Sequence, residues 1–334
     1  MRGPVQKARV TSVPDLAALR AGGKRALARA LALIETHRGS PELTRLLDRA
    51  AGDPHGHVLG LTGPPGVGKS TLTNTLVRDW RAARKSVGVI AVDPSSRASG
   101  GALLGDRARI ATDPSDRDVF IRSMAARDRL GGLSDDTVAA VVLMRALFAH
   151  VLVESVGIGQ SEADISTVAD TTVLCIQPGS GDSLQFMKAG VMELPDIVVV
   201  TKADAGPHAR RAASEVEGAL GLFSRTDSWT PPVLLVSASH GTGLPALRDA
   251  IAAHRTHLGV QGLAARRQCQ EQAWVESVVR ERFGSEGLAL SRGVTSDLPR
   301  PVFERTDALI AMLRARLLHS GTADADVRVT KPQA

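Results

Sequence analysis

Gly63-Pro64-Pro65-Gly66-Val67-Gly68-Lys69-Ser70 decides the fold. The octet fits G-x-x-x-x-G-K-[S/T] at every fixed position. It follows a strand-like run, His57–Leu61, and precedes a helix-like one, Thr71–Arg84, the setting the motif requires. The glycines let the backbone curl so that its N–H groups face an anion, and the following helix N-terminus adds positive potential. Gly63, Pro64, Pro65, Gly66, Val67, Gly68, Lys69, Ser70 and Thr71 therefore read as a phosphate-binding segment. Lys69 places an ammonium between the β- and γ-phosphates of a nucleotide, and Ser70 offers a hydroxyl to Mg²⁺.

Outward from this segment, short apolar runs alternate with helical patterns. The runs are His57–Leu61, Ser86–Val92, His150–Glu154, Thr172–Gln177, Asp196–Val200 and Val233–Val236. Each is rich in Val, Ile or Leu with little alternation, as in strands buried on both faces. The pattern predicts an α/β fold of right-handed βαβ units with a mostly parallel sheet flanked by helices, and ligands beyond the strands' C-terminal ends.

The flanks read differently. Leu16, Leu19, Leu27, Leu31 and Ile34 mark an N-terminal helical stretch that Gly22-Gly23 should split, and Ser40-Pro41 opens a second helix. After Leu258 strand signals stop, and Gln268–Phe283 and Val302–Leu318 read as helices joined by Gly284–Pro301. The expected division is a helical extension over 1–52, a P-loop domain over 53–257 and a helical segment over 258–334.

Composition narrows the function. The net charge of +6 comes from scattered Lys and Arg, and there are only three Trp, six Phe and no Tyr, which argues against a base-stacking nucleic-acid surface. Two cysteines, Cys175 and Cys269, form neither a disulfide framework nor a zinc motif. No stretch approaches the ~18 apolar residues of a membrane span and no signal-peptide pattern opens the chain, so a soluble cytoplasmic protein without a membrane or nucleic-acid partner is expected.

Three acids stand where metal and water would be managed: Asp93 after Ser86–Val92, Asp106 in Gly105-Asp106-Arg107, and Glu154 at the end of His150–Glu154. Glu154-Ser155-Val156-Gly157 follows D-x-x-G logic with Glu as the acid, so that Gly157 N–H would meet the γ-phosphate. Residue type does not separate metal ligand from water-positioning base among the three. Thr201-Lys202-Ala203-Asp204 has the form of the guanine-specificity motif N-K-x-D with Thr for Asn. A carboxylate at Asp204 would accept from guanine N1–H and the exocyclic amine, donors that adenine does not pair there. Ser237-Ala238-Ser239, after the next strand, offers a backbone N–H to guanine O6. Thr201 is expected to brace the loop less well than Asn.

These residues together resemble the G3E-type P-loop GTPases of the methylmalonyl-CoA mutase-associated chaperone group (MeaB/ArgK type). The resemblance rests on Gly63–Thr71, VDPSSRASGGALLGD (92–106), FIRS (120–123), LGGL (130–133), VESVGIGQSE (153–162), QPGSGDSLQFMK (177–188), Thr201–Asp204 and, more weakly, GKRALARALALIE (23–35). It implies a GTP hydrolase, with Mg²⁺ and GTP/GDP bound, that forms a homodimer through its C-terminal part. It also implies that the chain serves an adenosylcobalamin-dependent acyl-CoA mutase, gating cofactor loading, protection or reactivation. Asp93, Asp106 and Glu154 fall on family acids linked to Mg²⁺ and hydrolysis. Residues 177–188 fall on a loop that couples nucleotide state to the client, with Gln177, Gly179, Gly181, Asp182, Gln185 and Lys188 as its hinge and contact residues. Gln160 resembles a water-orienting glutamine, a role its spacing leaves open. The alternatives are a metallochaperone GTPase, which would call for a His-rich or Cys-containing metal motif that the sequence does not carry, and a small-molecule kinase or transport ATPase, against which Thr201–Asp204 argues.

Overall fold

The computed structural model describes residues 13–94, 113, 115–126, 133–157, 164–179, 195–221, 228–292 and 301–323. Among these, the chain runs α1 (Leu16–Thr36), α2 (Pro41–Gly52), β1 (His57–Thr62), α3 (Lys69–Ala82), β2 (Val87–Pro94), β3 (Val119–Ala126), α4 (Asp135–Arg145), β4 (His150–Glu154), β5 (Thr171–Ile176), β6 (Ile197–Val200), α5 (Pro207–Leu220), β7 (Val233–Leu235), α6 (Leu244–Arg292) and α7 (Val302–Ala323). The seven strands form one sheet in the order β3-β2-β4-β1-β5-β6-β7, with every pairing parallel.

Both faces of the central strands are covered, which is why β1, β5 and β6 are buried at every residue. On one face Leu59, Leu61, Val89, Leu152 and Val173 pack with Leu72 and Leu76 of α3 and Leu247 and Ile251 of α6. On the other, Val58, Ile90, Val151 and Val153 join Leu143 and Met144 of α4 and a helical layer that includes Leu31, Leu46 and Leu309. Ala209 and Val216 of α5 cover Leu174, Ile176, Val198 and Val200 nearer the β7 edge. Strand β1 lies between β4 and β5, so chain excursions leave it in both directions, and the crevice above its C-terminal end is where such sheets hold ligands.

Three features depart from the sequence reading. Strand β3 (VFIRSMAA) was not foreseen: among the described residues it pairs with β2 alone, and its polar Arg122 is held by Glu35 at 2.8 Å rather than by alternation. Strand β2 continues past Val92 to Pro94, so Asp93 lies within the ladder, opposite Ala125, instead of following it. Helix α6 starts well before Gln268 and runs to Arg292, broken only where Gly259 (φ 57°) and Gly284 (φ 67°) take positive φ, a conformation glycine adopts without a Cβ clash. The expected split of α1 is present at Gly23, with φ 59° and ψ −151°.

Tertiary contacts tie the flanking helices to the sheet. Asp48 of α2 accepts the Phe303 and Glu304 N–H groups (2.8 and 3.0 Å), capping α7 from another helix. Arg267 of α6 forms a bidentate pair with buried Asp170 (2.8 and 2.7 Å), and Arg266 does the same with Asp196 (3.0 and 2.7 Å). Burial alone would raise Asp170; the Arg267 guanidinium, His57 and the Val58 N–H outweigh it and hold the carboxyl below its ordinary value. Among the described residues no helix is long and apolar enough to cross a membrane.

Candidate functional site

Strand β1 delivers the chain to Gly63, whose φ is 129° and where an added Cβ would lie 2.1 Å from the Cys175 carbonyl oxygen. Only glycine fits that approach of two backbones. Gly66 (φ 76°) and Gly68 (φ 105°) complete the turn, and α3 begins at Lys69 with Gly68 as its left-handed cap. The first-turn N–H groups of α3 therefore point at the loop, the arrangement that favours an anion. Lys69 is buried, and its ammonium donates to the carbonyls of Gly63 (2.8 Å) and Pro64 (3.0 Å), folding the side chain back across the loop. Gly157 closes on the same point. Its φ is 79°, and a Cβ there would meet Gly63 O at 2.1 Å and Lys69 Nζ at 2.7 Å.

Glu154 ends β4 almost fully buried. Ser70 donates to its Oε1 at 2.6 Å and Thr73 to its Oε2 at 2.9 Å, so both carboxylate oxygens face α3. Ala91 stands opposite Glu154 in the β2–β4 ladder. Because side chains alternate, Asp93 projects from the same face two residues further on, roughly 6–7 Å along the strand. Asp93 is 2% exposed. One hydroxyl and two carboxylates at the C-terminal ends of adjacent strands make an all-oxygen donor set, which suits a hard cation such as Mg²⁺ that completes its shell with phosphate and water. Asp106 lies outside the described residues. Thr73, which locks the second oxygen of Glu154, was missed in the sequence because its spacing from the octet matters only once α3 and β4 are packed together.

On the other side of the loop, Thr201 at the end of β6 is buried. Its hydroxyl lies 2.7 Å from Val67 O and 2.9 Å from Ile176 O, and its N–H donates to Ile176 O at 2.8 Å. The expectation that Thr would brace this loop poorly is thus not met in the geometry: its hydroxyl reaches the phosphate loop directly. Lys202 has a left-handed backbone (φ 53°) and donates to Gln177 Oε1 at 2.6 Å. Asp204 Oδ1 accepts from Ser237 Oγ at 2.6 Å. That bond, with the residue's own N–H and nearby His240 and Lys202, holds the carboxyl below its ordinary value. Ser237 Oγ also lies 3.1 Å from His240 Nδ1, and His240 was not foreseen. A cavity of about 190 Å³ opens here, between Val67–Gly68 and Thr71–Leu72 on one wall and Thr201–Lys202 and Val236–Ser239 on the other.

The structure thus brings together the octet, Glu154, Gly157, Thr201, Lys202, Asp204 and Ser237–Ser239 around one crevice, with Asp93 on the adjoining strand face. Of the segment 177–188, Gln177 and Gly179 are described, the latter with φ 76°. Gly181, Asp182, Gln185 and Lys188 lie outside the described residues, as does Gln160. Burial pushes the Cys175 thiol up to about 12, so this cysteine beneath the loop is an inert packing residue.

Comparison with known proteins follows the same division of parts. Residues 27–289 match the family described as "Methylmalonyl Co-A mutase-associated GTPase MeaB". A probable GTPase of Mycobacterium bovis is 42% identical over 308 residues, covering 88% of this chain and 91% of that protein. The mouse protein named "Methylmalonic aciduria type A homolog, mitochondrial" is 36% identical over 278 residues, covering 78% of this chain and 67% of that one. A solved structure described as an LAO/AO transport system kinase superposes with a TM-score of 0.66 at 27% identity, covering 92% of this chain and 100% of that chain.

Proposed function

The chain belongs to the methylmalonyl Co-A mutase-associated GTPase family, and from that premise we propose that it is a GTP-hydrolysing chaperone of an adenosylcobalamin-dependent acyl-CoA mutase, methylmalonyl-CoA mutase first among them. Its turnover of GTP to GDP and phosphate gates cofactor loading, protection or reactivation of that client. The observation that carries the client is the family match over residues 27–289. The guanine assignment is supported by the Asp204 carboxylate, oriented by Ser237 beside the cavity that adjoins the phosphate loop.

The residues take the following parts. The N–H groups of Gly63–Thr71 and the α3 N-terminus bind the β- and γ-phosphates, and Lys69 exchanges its carbonyl partners for phosphate oxygens. Thr201 holds the base loop to Val67, Lys202 lies along the base, Asp204 reads guanine N1–H and the exocyclic amine, and Ser237–Ser239 present a backbone N–H to O6. Water attacks the γ-phosphorus in line; the bond to the β–γ bridging oxygen breaks, and that oxygen leaves with GDP. Lys69 and the loop amides stabilise the negative charge as it moves onto the leaving oxygen. Ser70, Asp93 and Glu154, with Asp106, would hold Mg²⁺, which neutralises phosphate charge when bound. Gly157 N–H meets the γ-phosphate, so loss of that group releases the segment that follows. Residues 177–188 carry the nucleotide state to the client, and residues after 258 pair two copies.

The test measures phosphate release from GTP and from ATP with Mg²⁺, with and without an adenosylcobalamin-dependent acyl-CoA mutase. GTP-selective turnover that rises with the mutase is the expected result. GTP turnover indifferent to every mutase tried would discard the client, and equal use of ATP would discard the base site.

A further inference from the structure

Arg145 closes α4 with 4% of its surface exposed, yet its guanidinium makes no hydrogen bond or ion pair with any described residue, and its Nε is buried without a partner. Its backbone is fixed, because its carbonyl accepts the His55 and Gly56 N–H groups at 3.1 and 2.8 Å. Burial, with Arg267 nearby, pushes the side chain down to about 10 against the pull of Asp170 and Glu271, so it remains a cation at neutral pH. A buried cation without a bonded partner costs several kcal/mol, and native chains rarely keep one without a use.

A cavity of about 680 Å³ lies against Arg145, at the Gly259 break of α6. Arg255, Arg267, Gln268 and Glu271 share its wall. Arg267 is already committed to Asp170 and to Gly56 O (2.9 Å). Arg255 is exposed, and Glu271 is the one acid on the wall among the described residues, its carboxyl raised by burial. A smaller space of about 30 Å³ also touches Arg145, enough for about one water, which solvates a cation without neutralising it. The larger cavity lies at the base of the sheet, beside the segment that leads into β1 at His57, whereas the phosphate loop leaves the opposite end of β1.

We propose that this cavity is a second anion site, which takes a phosphate group with Arg145 as its buried anchor and Arg255 as its outer contact. A tetrahedral dianion can accept from two guanidinium forks at once, whereas a single carboxylate satisfies one. The site is separate from the nucleotide crevice and does not depend on the client assignment.

The test uses the full chain with GDP and Mg²⁺ added, so that the nucleotide site is filled. Inorganic phosphate is titrated and followed by calorimetry and ³¹P NMR. Saturable binding is expected in the unaltered protein and in Lys69→Ala, about tenfold weaker or absent in Arg145→Met, and weakened in Arg255→Ser, whose side chain is exposed and leaves the core untouched. GTP turnover should be unchanged in both arginine variants. Phosphate should raise the Tm of the unaltered protein but not of Arg145→Met, whose Tm without phosphate should equal or exceed it, since an unpaired buried charge has gone. Glycerol phosphate run beside the free ion separates the sources: tighter binding assigns the site to phosphate esters, and equal binding to the ion itself. No saturable binding, or binding untouched in both arginine variants, overturns the proposal.

Discussion

Gly157 and Lys69 meet over the Gly63 carbonyl with no room for a methyl group, which makes this contact the most sensitive point of the crevice. Gly157→Ala would force a Cβ to 2.1 Å from Gly63 O, displacing the phosphate loop while leaving the sheet intact. GTP turnover should fall by about 100-fold or more, the scale of losing a preorganised charge-stabilising group, with circular dichroism unchanged. Lys69→Ala should abolish phosphate release and weaken GDP binding, and normal turnover would remove this loop from the mechanism. Asp204→Asn replaces an acceptor-only group with one that offers an amide to guanine's donors. The GTP/ATP preference should fall by about tenfold or more, the cost of leaving a base donor mispaired once guanine covers this carboxylate. Selectivity left intact would move base recognition to another part of the chain.

At the scale of elements, α6 is fastened to the sheet by two bidentate arginine–aspartate pairs, Arg266–Asp196 and Arg267–Asp170. Asp170 also accepts the Val58 N–H at 2.8 Å and Asp196 accepts the Thr172 N–H at 2.7 Å, so the pairs sit at the starts of β1 and β5. Between them runs a buried chain in which Thr171 Oγ1 lies 2.8 Å from both His57 Nε2 and His254 Nδ1. Arg267→Ala would strand the Asp170 carboxylate, 0% exposed, in the interior. The expected loss is about 3–5 kcal/mol, measured by urea denaturation. A loss below about 1 kcal/mol would mean that water reaches Asp170 once the arginine is gone.

For the whole molecule, the same region sets the response to acid. Burial lowers both His57 and His150 to about 4 from the ordinary 6.5, with Arg255 adding to each and Asp170 opposing at His57. Between about pH 6.5 and 4 the unfolded chain binds protons at these positions that the folded chain refuses, so stability rises with pH through that window. Asp170 and Asp196, held below their ordinary values, act in the same direction at lower pH: their contribution is present above the unfolded carboxylate value and is lost as pH falls through the folded one. Tm should therefore be highest above pH 6.5 and decline steadily toward pH 4. The slope should be shallower in His150→Gln, although that change also removes the stacking of His150 on Trp80, whose ring centroids are 4.4 Å apart. A flat Tm between pH 7.5 and 5 would mean that neither histidine is desolvated as its burial implies.

The sequence alone determined the phosphate loop, the alternation that makes a parallel sheet, and the order of the nucleotide motifs. Each is a local rule: glycines at fixed offsets for a tight turn, unbroken apolar runs for strands buried on both faces, and an acid or T-K-x-D at a strand end. Where burial depends on partners distant in the chain, local pattern was silent. Strand β3 reads as mixed because β2, which it pairs with, and Glu35 of α1 supply what alternation would otherwise signal. Thr201 looked like a weak substitute for Asn until packing brought its hydroxyl to Val67, 134 positions away. The lock of Thr73 on Glu154 and the clamp of α6 on Asp170 and Asp196 join residues from separate elements, and the burial of Arg145 Nε without a partner is likewise set by packing. Only the tertiary structure decides these, because hydrogen bonding and desolvation depend on distance in space, and sequence spacing reports that distance only within a single turn or element.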